Sequence, residues 1–327
     1  MDPITHGLSG IVLSRTGFYQ RFGRLATIIL LVAALIPDID HLTLRLAGPL
    51  AYLKYHRGFT HSIVGSFVIA AIMAGIVCSI ERFREKLGYL TTFGIFLLGI
   101  YTHIFLDLIT SYGTLVFFPF TDKRYSLDLI FIIDFYFTAL MLIPLVIIRF
   151  KREWAKAIAL SSVAGIIIYL GIACAAKTIA IENAKAEAQK LGIAGKRIEA
   201  IPLPFSPFRW SVYIEDDKRF YQVDVDALKS ISPFNSFEKK HVPEGLNQGT
   251  EGNNIIEKVE KLEIVKTYLW FARFPVVSIK EEGEGFLVEY FDLRFNSLPP
   301  RRPFLLKLFL DKSGSLNHAE LMFHTIK

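Results

Sequence analysis

Long apolar runs fill the first 180 residues of the chain, and short aromatic runs alternate with polar residues after them. A helix needs about 20 apolar residues to cross a bilayer. Four runs approach that length, and we predict each to be a full membrane span: residues 62–80, 89–110, 127–148 and 157–176. The pattern therefore predicts a polytopic membrane protein.

Two shorter apolar segments precede these spans. Residues 2–13 read D-P-I-T-H-G-L-S-G-I-V-L, where Asp2 is predicted to cap a helix and Pro3 to occupy its first position. Residues 26–36 are apolar and are followed by P-D-I-D-H, where Pro37 is predicted to end or kink the helix. Both segments are shorter than a span, so we expect them to be inserted in the membrane under the cover of protein.

The pattern changes near residue 180. Residues 181–195 are rich in Ala, Glu and Lys and predict a helix that leaves the membrane. Further on, W-S-V-Y-I-E and R-F-Y-Q-V-D-V predict a hairpin, and T-Y-L-W-F-A-R-F, G-F-L-V-E-Y-F-D-L and F-L-L-K-L-F-L-D predict more antiparallel strands. Residues 243–254 predict a polar loop or a disordered insert. We therefore predict an α+β fold, with an all-α polytopic membrane domain over 1–180 and a small, mainly antiparallel β soluble domain over 181–327.

Charge is unevenly distributed along the chain. The whole net charge of +6 lies in the first 180 residues, which hold 16 Lys and Arg against 10 Asp and Glu. These basic residues lie between apolar runs instead of forming one patch, which favours membrane topology over nucleic-acid binding. The positive-inside rule then places the C-terminal domain and the candidate metal ligands on the extracytoplasmic side.

Histidines and aspartates within apolar sequence are the candidates for chemistry, because an unpaired charge there is costly. His103 and Asp107 are four residues apart on a predicted helix, so both side chains can reach one metal ion. A plain hydrogen bond between them that braces two helices is the alternative. His56 and His61 flank Gly58, whose turn allows both to converge on one site, whereas contact with lipid headgroups is the alternative.

The motif P-D-I-D-H offers Asp38 and Asp40 at a helix end, where a carboxylate can bridge two metal ions, although Asp and Pro are also ordinary turn formers. Arg57 can clamp an anionic phosphoryl group in bidentate geometry, with headgroup anchoring as its alternative. Imidazole and carboxylate ligands together suit Zn²⁺, Mn²⁺ or Fe²⁺. His241, His318 and His324 are isolated, and surface or strand-packing roles are expected for them.

Four motifs in combination, M-D-x-x-T-H, P-D-I-D-H, H-R-G-F-T-H-S and H-I-F-L-D-x-x-T-S-Y-G, resemble the membrane-bound metal-dependent hydrolases of the YdjM type over residues 1–180. That family resembles zinc-dependent phospholipase C and P1-type nucleases, which are helical enzymes with three zinc ions that cleave phosphoesters. The resemblance implies an ordered ligand set: His6, Asp40 or Asp38, His61 or His56, and His103 with Asp107.

The soluble enzymes supply a further His and a second His–carboxylate pair, and this chain has no histidine between His103 and His241. Asp122, Asp128 or Asp134 are the candidates to complete the site, so one to three divalent ions are expected, with Zn²⁺ first and Mn²⁺ second. The predicted metal ligands are His6, Asp38, Asp40, His61, His103 and Asp107. The predicted catalytic residues are Asp40 as bridging ligand or base, Arg57 as phosphoryl clamp, and His56.

Together with these residues, the resemblance implies an integral membrane metal-dependent hydrolase that uses a metal-activated water to cleave a phosphoester. A site at the membrane surface suggests a lipid or lipid-linked substrate, and no nucleic-acid partner is expected. A metal-ion transporter is one alternative, since intramembrane His and Asp are also what such a protein uses. A non-catalytic membrane scaffold with a partner-binding outer domain is the other.

Overall fold

The computed structural model describes residues 1–242, 250–296 and 303–322. The predicted α+β class is confirmed, because a helical region precedes two antiparallel-rich sheets. The chain divides into two compact units. The first, called here the helical unit, comprises Met1–Thr43, Arg57–Ile179 and Pro202–Arg209. The second, called the β unit, comprises Leu44–His56, Ala180–Ile201 and Trp210–Lys327. The predicted domain boundary after residue 180 falls inside one continuous helix, Ala155–Lys190, and it stays a prediction.

Ten helices precede the first strand. Their bounds are α1 Pro3–Leu13, α2 Tyr19–Phe22, α3 Arg24–Ala33, α4 Ile39–Ala47, α5 Pro49–Tyr55, α6 Ile63–Cys78, α7 Glu81–Leu87, α8 Tyr89–Leu108, α9 Phe135–Phe150 and α10 Ala155–Lys190. A π-helical turn, Ser14–Phe18, joins α1 to α2. The predicted cap of α1 is confirmed, since the Asp2 carboxylate accepts a hydrogen bond from the Thr5 amide at 2.9 Å and Pro3 is the first helical residue.

Among the residues that the structure describes, three helical stretches are long and apolar enough to cross a membrane: Arg24–Leu42, Tyr89–Leu108 and Arg152–Lys190. A fourth results if Pro49–His61 and Ile63–Cys78 form one broken span. The prediction that residues 26–36 fall short of a span was wrong. Pro37 lies in the first positions of a 3₁₀ turn, Ile36–Asp38. Proline has no amide proton, and at this position none is needed for a helical hydrogen bond. The chain therefore continues into α4.

The predicted span over residues 127–148 was also wrong at its start. The helix begins only at Phe135, because Asp134 caps it by accepting a hydrogen bond from the Phe137 amide at 2.9 Å. The helix that begins there, α9, is a shorter apolar helix of 16 residues that ends at Phe150. Residues 127–133 form neither helix nor strand before that cap. Apolar composition alone therefore overestimated the helix length.

Small residues bring α1, α3 and α8 close together in the helical unit. A Cβ atom added to Gly99 of α8 would lie 2.5 Å from the Cβ of Ala33 in α3, and one added to Gly10 of α1 would lie 2.5 Å from the carbonyl oxygen of Leu30. Such contacts let helix backbones approach one another, as in other membrane bundles. This packing places the N-terminal end of α1 and the C-terminal ends of α3 and α8 around one polar cluster.

The β unit contains two five-stranded sheets. One has the order β1-β2-β3-β4 with β5 also paired to β3, and the other has the order β10-β9-β8-β7-β6. The β6–β7 pair is parallel, whereas β7, β8, β9 and β10 pair antiparallel. The bounds are β1 Arg197–Pro202, β2 Arg209–Glu215, β3 Arg219–Asp226, β4 Ser230–Ile231, β5 Asn235–Glu238, β6 Lys240–His241, β7 Pro275–Glu282, β8 Gly285–Asp292, β9 Leu305–Asp311 and β10 Leu316–Met322.

The predicted strands W-S-V-Y-I-E, R-F-Y-Q-V-D-V, G-F-L-V-E-Y-F-D-L and F-L-L-K-L-F-L-D correspond to β2, β3, β8 and β9 and are confirmed. The strand predicted for T-Y-L-W-F-A-R-F was wrong, because these residues lie largely in helix α12, Glu263–Phe271. Val265, Tyr268 and Phe271 are buried at a spacing of three, which is a helical period that the aromatic composition concealed. Of the predicted loop over 243–254, residues 250–254 belong to helix α11, Thr250–Val259, and residues 243–249 lie outside the described chain.

Candidate metal centre

Four side chains meet in the helical unit: Asp38, His61, His103 and Asp107. One ligand atom from each lies within 4.8 Å of the other three. His61 and His103 approach through their Nε2 atoms at 3.0 Å. Asp107 Oδ2 lies 3.2 Å from His61 Nε2 and 3.5 Å from His103 Nε2, and Asp38 Oδ1 lies 3.5 Å and 3.6 Å from the same two atoms.

These separations match the edges of a coordination tetrahedron. Zinc binds imidazole nitrogen and carboxylate oxygen at about 2.0–2.1 Å, so the ligand atoms of a tetrahedral site lie about 3.3–3.4 Å apart. Five of the six pairs in this cluster lie between 3.0 and 3.6 Å, and the sixth pair lies within 4.8 Å. Five of the six separations therefore suit one tetrahedral ion, and the sixth, between the Asp38 and Asp107 carboxylates, is within 4.8 Å.

The backbone beside Pro37 orients His103. In a continuing helix the Ala34 carbonyl would accept the amide of residue 38, but the Asp38 amide donates to Leu35 instead, at 3.2 Å. The freed Ala34 carbonyl lies 2.7 Å from His103 Nδ1. A carbonyl only accepts, so Nδ1 carries a proton, and in the neutral imidazole that binds metal the lone pair of Nε2 is directed into the cluster.

Thr60 orients His61 in a comparable way. The Thr60 hydroxyl donates to Asp40 Oδ2 at 2.9 Å and lies 2.9 Å from His61 Nδ1. With Nδ1 facing Thr60, the neutral form of His61 directs the Nε2 lone pair toward the cluster. Two imidazole lone pairs and two carboxylates converge, which is a set of acceptors that a cation stabilises.

The second oxygen of Asp107 faces a different set of groups. Oδ1 lies 2.8 Å from Arg57 Nη2 and 3.3 Å from His6 Nε2, and it pairs with the Met1 amino group. The His6 ring stacks on His103 at 3.7 Å, and neither of its nitrogens has a hydrogen-bond partner among the described residues. Burial lowers the pKa of His6 to about 3, so its imidazole is neutral and able to bind a metal ion. Burial, followed by the charge of Arg57, also lowers the pKa of the Met1 amino group.

Arg57 is directed at Asp107 and at the end of α8. Its Nη1 lies 3.2 Å from Thr110 Oγ1, its guanidinium lies 4.9 Å from the ring centroid of Tyr112, and its backbone amide donates to Asp40 at 3.1 Å. The side chain is 4% exposed. Arg57 therefore neutralises Asp107, and its predicted role as a phosphoryl clamp stays a prediction.

The structure brings His6, Asp38, His61, His103 and Asp107 together. Asp40 is linked to His61 through the hydroxyl of Thr60. The predicted His56 is buried and stacks on Tyr52 at 4.6 Å. The candidates to complete the site are elsewhere: Asp122 is exposed, Asp128 lies 3.9 Å from Lys177, and Asp134 caps α9 and accepts a hydrogen bond from Tyr169 at 2.7 Å.

Within the described ranges no second group of three or more His, Cys, Asp or Glu residues has metal-binding spacing. His241 and His318 are exposed beside Glu238 and Glu320, and His324 lies outside the described residues. Sequence reasoning missed Thr60 and the Ala34 carbonyl. For Thr60, its position next to His61 was the one signal in the sequence. The Ala34 carbonyl is a backbone group, so no residue type marks it in the sequence.

The apolar helices and the buried polar cluster together define a membrane protein with a candidate metal centre. The chain belongs to the YdjM inner membrane protein family, whose model matches residues 1–180. It is also similar to the uncharacterized protein YfhP of Bacillus subtilis, with 31% identity over 137 residues. That match covers 40% of this chain and 41% of the relative, less than half of either. No solved structure matches the chain significantly. The likeness to phospholipase C and P1-type nucleases stays a prediction.

Proposed function

We propose that the chain is an integral membrane metal-dependent hydrolase that cleaves a phosphoester in a lipid or lipid-linked substrate. The observation that carries the proposal is the convergence of donor atoms from Asp38, His61, His103 and Asp107, all within 4.8 Å of one another and five of the six pairs at 3.0–3.6 Å. The family supports the membrane location, and the metal, the reaction and the substrate are the proposed steps.

The donor set favours zinc, with manganese as the second choice. Two imidazole nitrogens and two carboxylate oxygens suit a borderline divalent ion, whereas calcium and magnesium prefer six or more oxygen ligands. Asp38, His61, His103 and Asp107 would hold this ion. The neutral His6 beside Asp107 Oδ1 is the residue that would contact a second ion. When bound, such a metal supplies Lewis acidity and lowers the pKa of a water molecule so that it can attack a phosphoester.

The chain's own residues define how a substrate would reach the centre. The side chain of Asp38 is 23% exposed, whereas His61, His103 and Asp107 are fully buried. Access is therefore from the Asp38 side. Ile39 and Leu42 follow Asp38 within one helical turn and are 52% and 68% exposed. Exposed apolar side chains next to Asp38 suit a phosphoester attached to a lipid chain.

Arg57 and Asp40 take supporting roles in this proposal. Arg57 holds Asp107 in its ionised form and fixes its orientation through Oδ1, which leaves Oδ2 directed at the two histidines. Asp40 accepts hydrogen bonds from the Arg57 amide and the Thr60 hydroxyl, so the proposal gives it a positioning role in place of the predicted role as base. We propose, from the charge distribution, that the centre faces the extracytoplasmic side.

The test uses the full chain purified in detergent. Bound metal is measured by elemental analysis, and chelator-sensitive cleavage is measured on a generic phosphodiester and on phospholipid vesicles. Asp38→Asn, His103→Ala and Asp107→Ala should lose metal and cleavage together. His318→Ala is the matched control, because His318 is exposed in the β unit.

Absence of bound metal from the wild-type protein, or unchanged cleavage in all three variants, would refute the proposal. Uptake of metal into vesicles that is lost in the same variants, with no cleavage of any ester, would favour the transporter instead.

A further inference from the structure

We propose that Asp40 and Thr60 are positioning residues that hold His61 with its Nδ1 proton directed away from the metal and its Nε2 lone pair directed toward it. This inference rests on the metal centre of the proposed function. It assigns Asp40 a different role from that of a metal ligand, and it gives a role to Thr60.

The direction of each hydrogen bond follows from chemistry. An ionised carboxylate only accepts hydrogen bonds, so the single hydroxyl proton of Thr60 is donated to Asp40 Oδ2 over 2.9 Å. The Thr60 oxygen is then an acceptor for His61, and the 2.9 Å contact requires a proton on Nδ1. A neutral imidazole carries one proton, so Nε2 is left with its lone pair.

The position of Asp40 separates it from the four donors of the cluster. Its Oδ2 lies 3.5 Å from His61 Nδ1, whereas Asp38 Oδ1 lies 3.5 Å from Nε2 of the same ring. Asp40 thus faces the nitrogen that is directed away from the metal. Carboxylates commonly take this place behind metal-binding histidines, where they fix the ring and raise its basicity.

Asp40 also fixes the backbone of the loop that carries His61. It accepts the Arg57 amide at 3.1 Å, and Arg57 has a φ of 58°, a left-handed conformation that is unfavourable for a non-glycine residue. The same carboxylate oxygen therefore binds residue 57 and residue 60. Asp40 therefore links two features of the site: the position of Arg57, which contacts Asp107, and the orientation of His61.

The test measures metal binding directly, with Co²⁺ as the probe, because its visible absorption reports tetrahedral coordination. Thr60→Val removes the hydroxyl and keeps the side-chain shape. It should weaken Co²⁺ binding by roughly 10- to 100-fold, the usual effect of losing such a partner. Thr60→Ser keeps the hydroxyl and should bind within about threefold of wild type. Thr92→Val is the matched control, because Thr92 is buried in α8 about three turns from His103.

Asp40→Asn distinguishes positioning from ligation. It should weaken Co²⁺ binding and still give the tetrahedral spectrum at saturating Co²⁺, whereas Asp38→Asn should lose that spectrum. Thermal unfolding of each protein in the presence of chelator shows whether the variant is folded. If Thr60→Val does not fold, Thr60→Ser and Asp40→Asn still decide the test.

Three results would overturn the inference: wild-type affinity in folded Thr60→Val, equal weakening in Thr60→Ser, or loss of the tetrahedral spectrum in Asp40→Asn. A wild-type protein that binds no Co²⁺ would instead refute the proposed function itself.

Discussion

Two aspartates of the metal centre are expected to respond differently to the same substitution. Asp107 is fully buried and pairs with Arg57 at 2.8 Å as well as with the histidines. Asp38 is 23% exposed and meets the cluster through His61 and His103. Asp107→Asn and Asp38→Asn each remove one carboxylate that we propose to bind metal, but Asp107→Asn also removes the counter-charge of a buried guanidinium.

The magnitudes follow from these surroundings. Without metal, Asp107→Asn leaves Arg57 buried and unneutralised, which costs roughly 3–5 kcal/mol of unfolding free energy. Without metal, Asp38→Asn removes partly exposed contacts and should cost about 1 kcal/mol. Zinc at about 100 times its dissociation constant adds about 2.7 kcal/mol to the wild-type protein. Neither variant should gain that increment, because both lack a ligand.

Thermal unfolding of the full chain in detergent, with chelator and then with zinc, measures both effects. At roughly 2–4 °C per kcal/mol for a unit of this size, zinc should raise the wild-type Tm by about 5–11 °C. Asp122→Asn is the matched control, since Asp122 is exposed, and it should respond to zinc as the wild type does. An equal zinc response in Asp38→Asn, or a chelated Asp107→Asn protein that melts with the wild type, would refute the reasoning.

Three further predictions concern packing and topology. Gly99→Leu should cost roughly 1–3 kcal/mol of unfolding free energy, because a Cβ at Gly99 would lie 2.5 Å from that of Ala33. The Tm should therefore fall equally with zinc and with chelator. Tyr169→Phe should cost roughly 1.5–3 kcal/mol of unfolding free energy, measured by denaturant titration, through the lost hydrogen bond to Asp134. A reporter fused to the C-terminus should be active only outside the cytoplasm, and cytoplasmic activity would reverse the proposed orientation.

The membrane character and the principal candidate ligands were accessible from the sequence because each rests on a local pattern. Apolar runs predicted α8 and α10, and the spacing of His103 and Asp107 predicted that they share one helix face. The choice between Asp38 and Asp40 was not accessible, since it depends on the helix phase on either side of Pro37. That phase is set by backbone hydrogen bonds at the 3₁₀ turn, which no side-chain pattern encodes.

The remaining differences have a common origin in tertiary context. Helix α12 has buried residues at a helical spacing, but its aromatic residues are equally typical of strands. The start of α9 depends on whether Asp134 caps a helix or lies within one. Thr60 was missed because a threonine next to a histidine acquires its role only when Asp40 is brought to its other side.

Charge balance bears on how many ions the centre holds. The group contains three carboxylates, those of Asp38, Asp40 and Asp107, one guanidinium, that of Arg57, and a neutral His6. Burial lowers the pKa of the Met1 amino group that pairs with Asp107, and the charge is counted with that amine neutral. One divalent ion brings the charge of this group to zero, which is the condition under which buried charges cost least. A second divalent ion beside His6 would add two uncompensated positive charges next to Arg57. We therefore expect one ion in the protein without substrate, and a second only when an anionic phosphoryl group enters and supplies the missing negative charge.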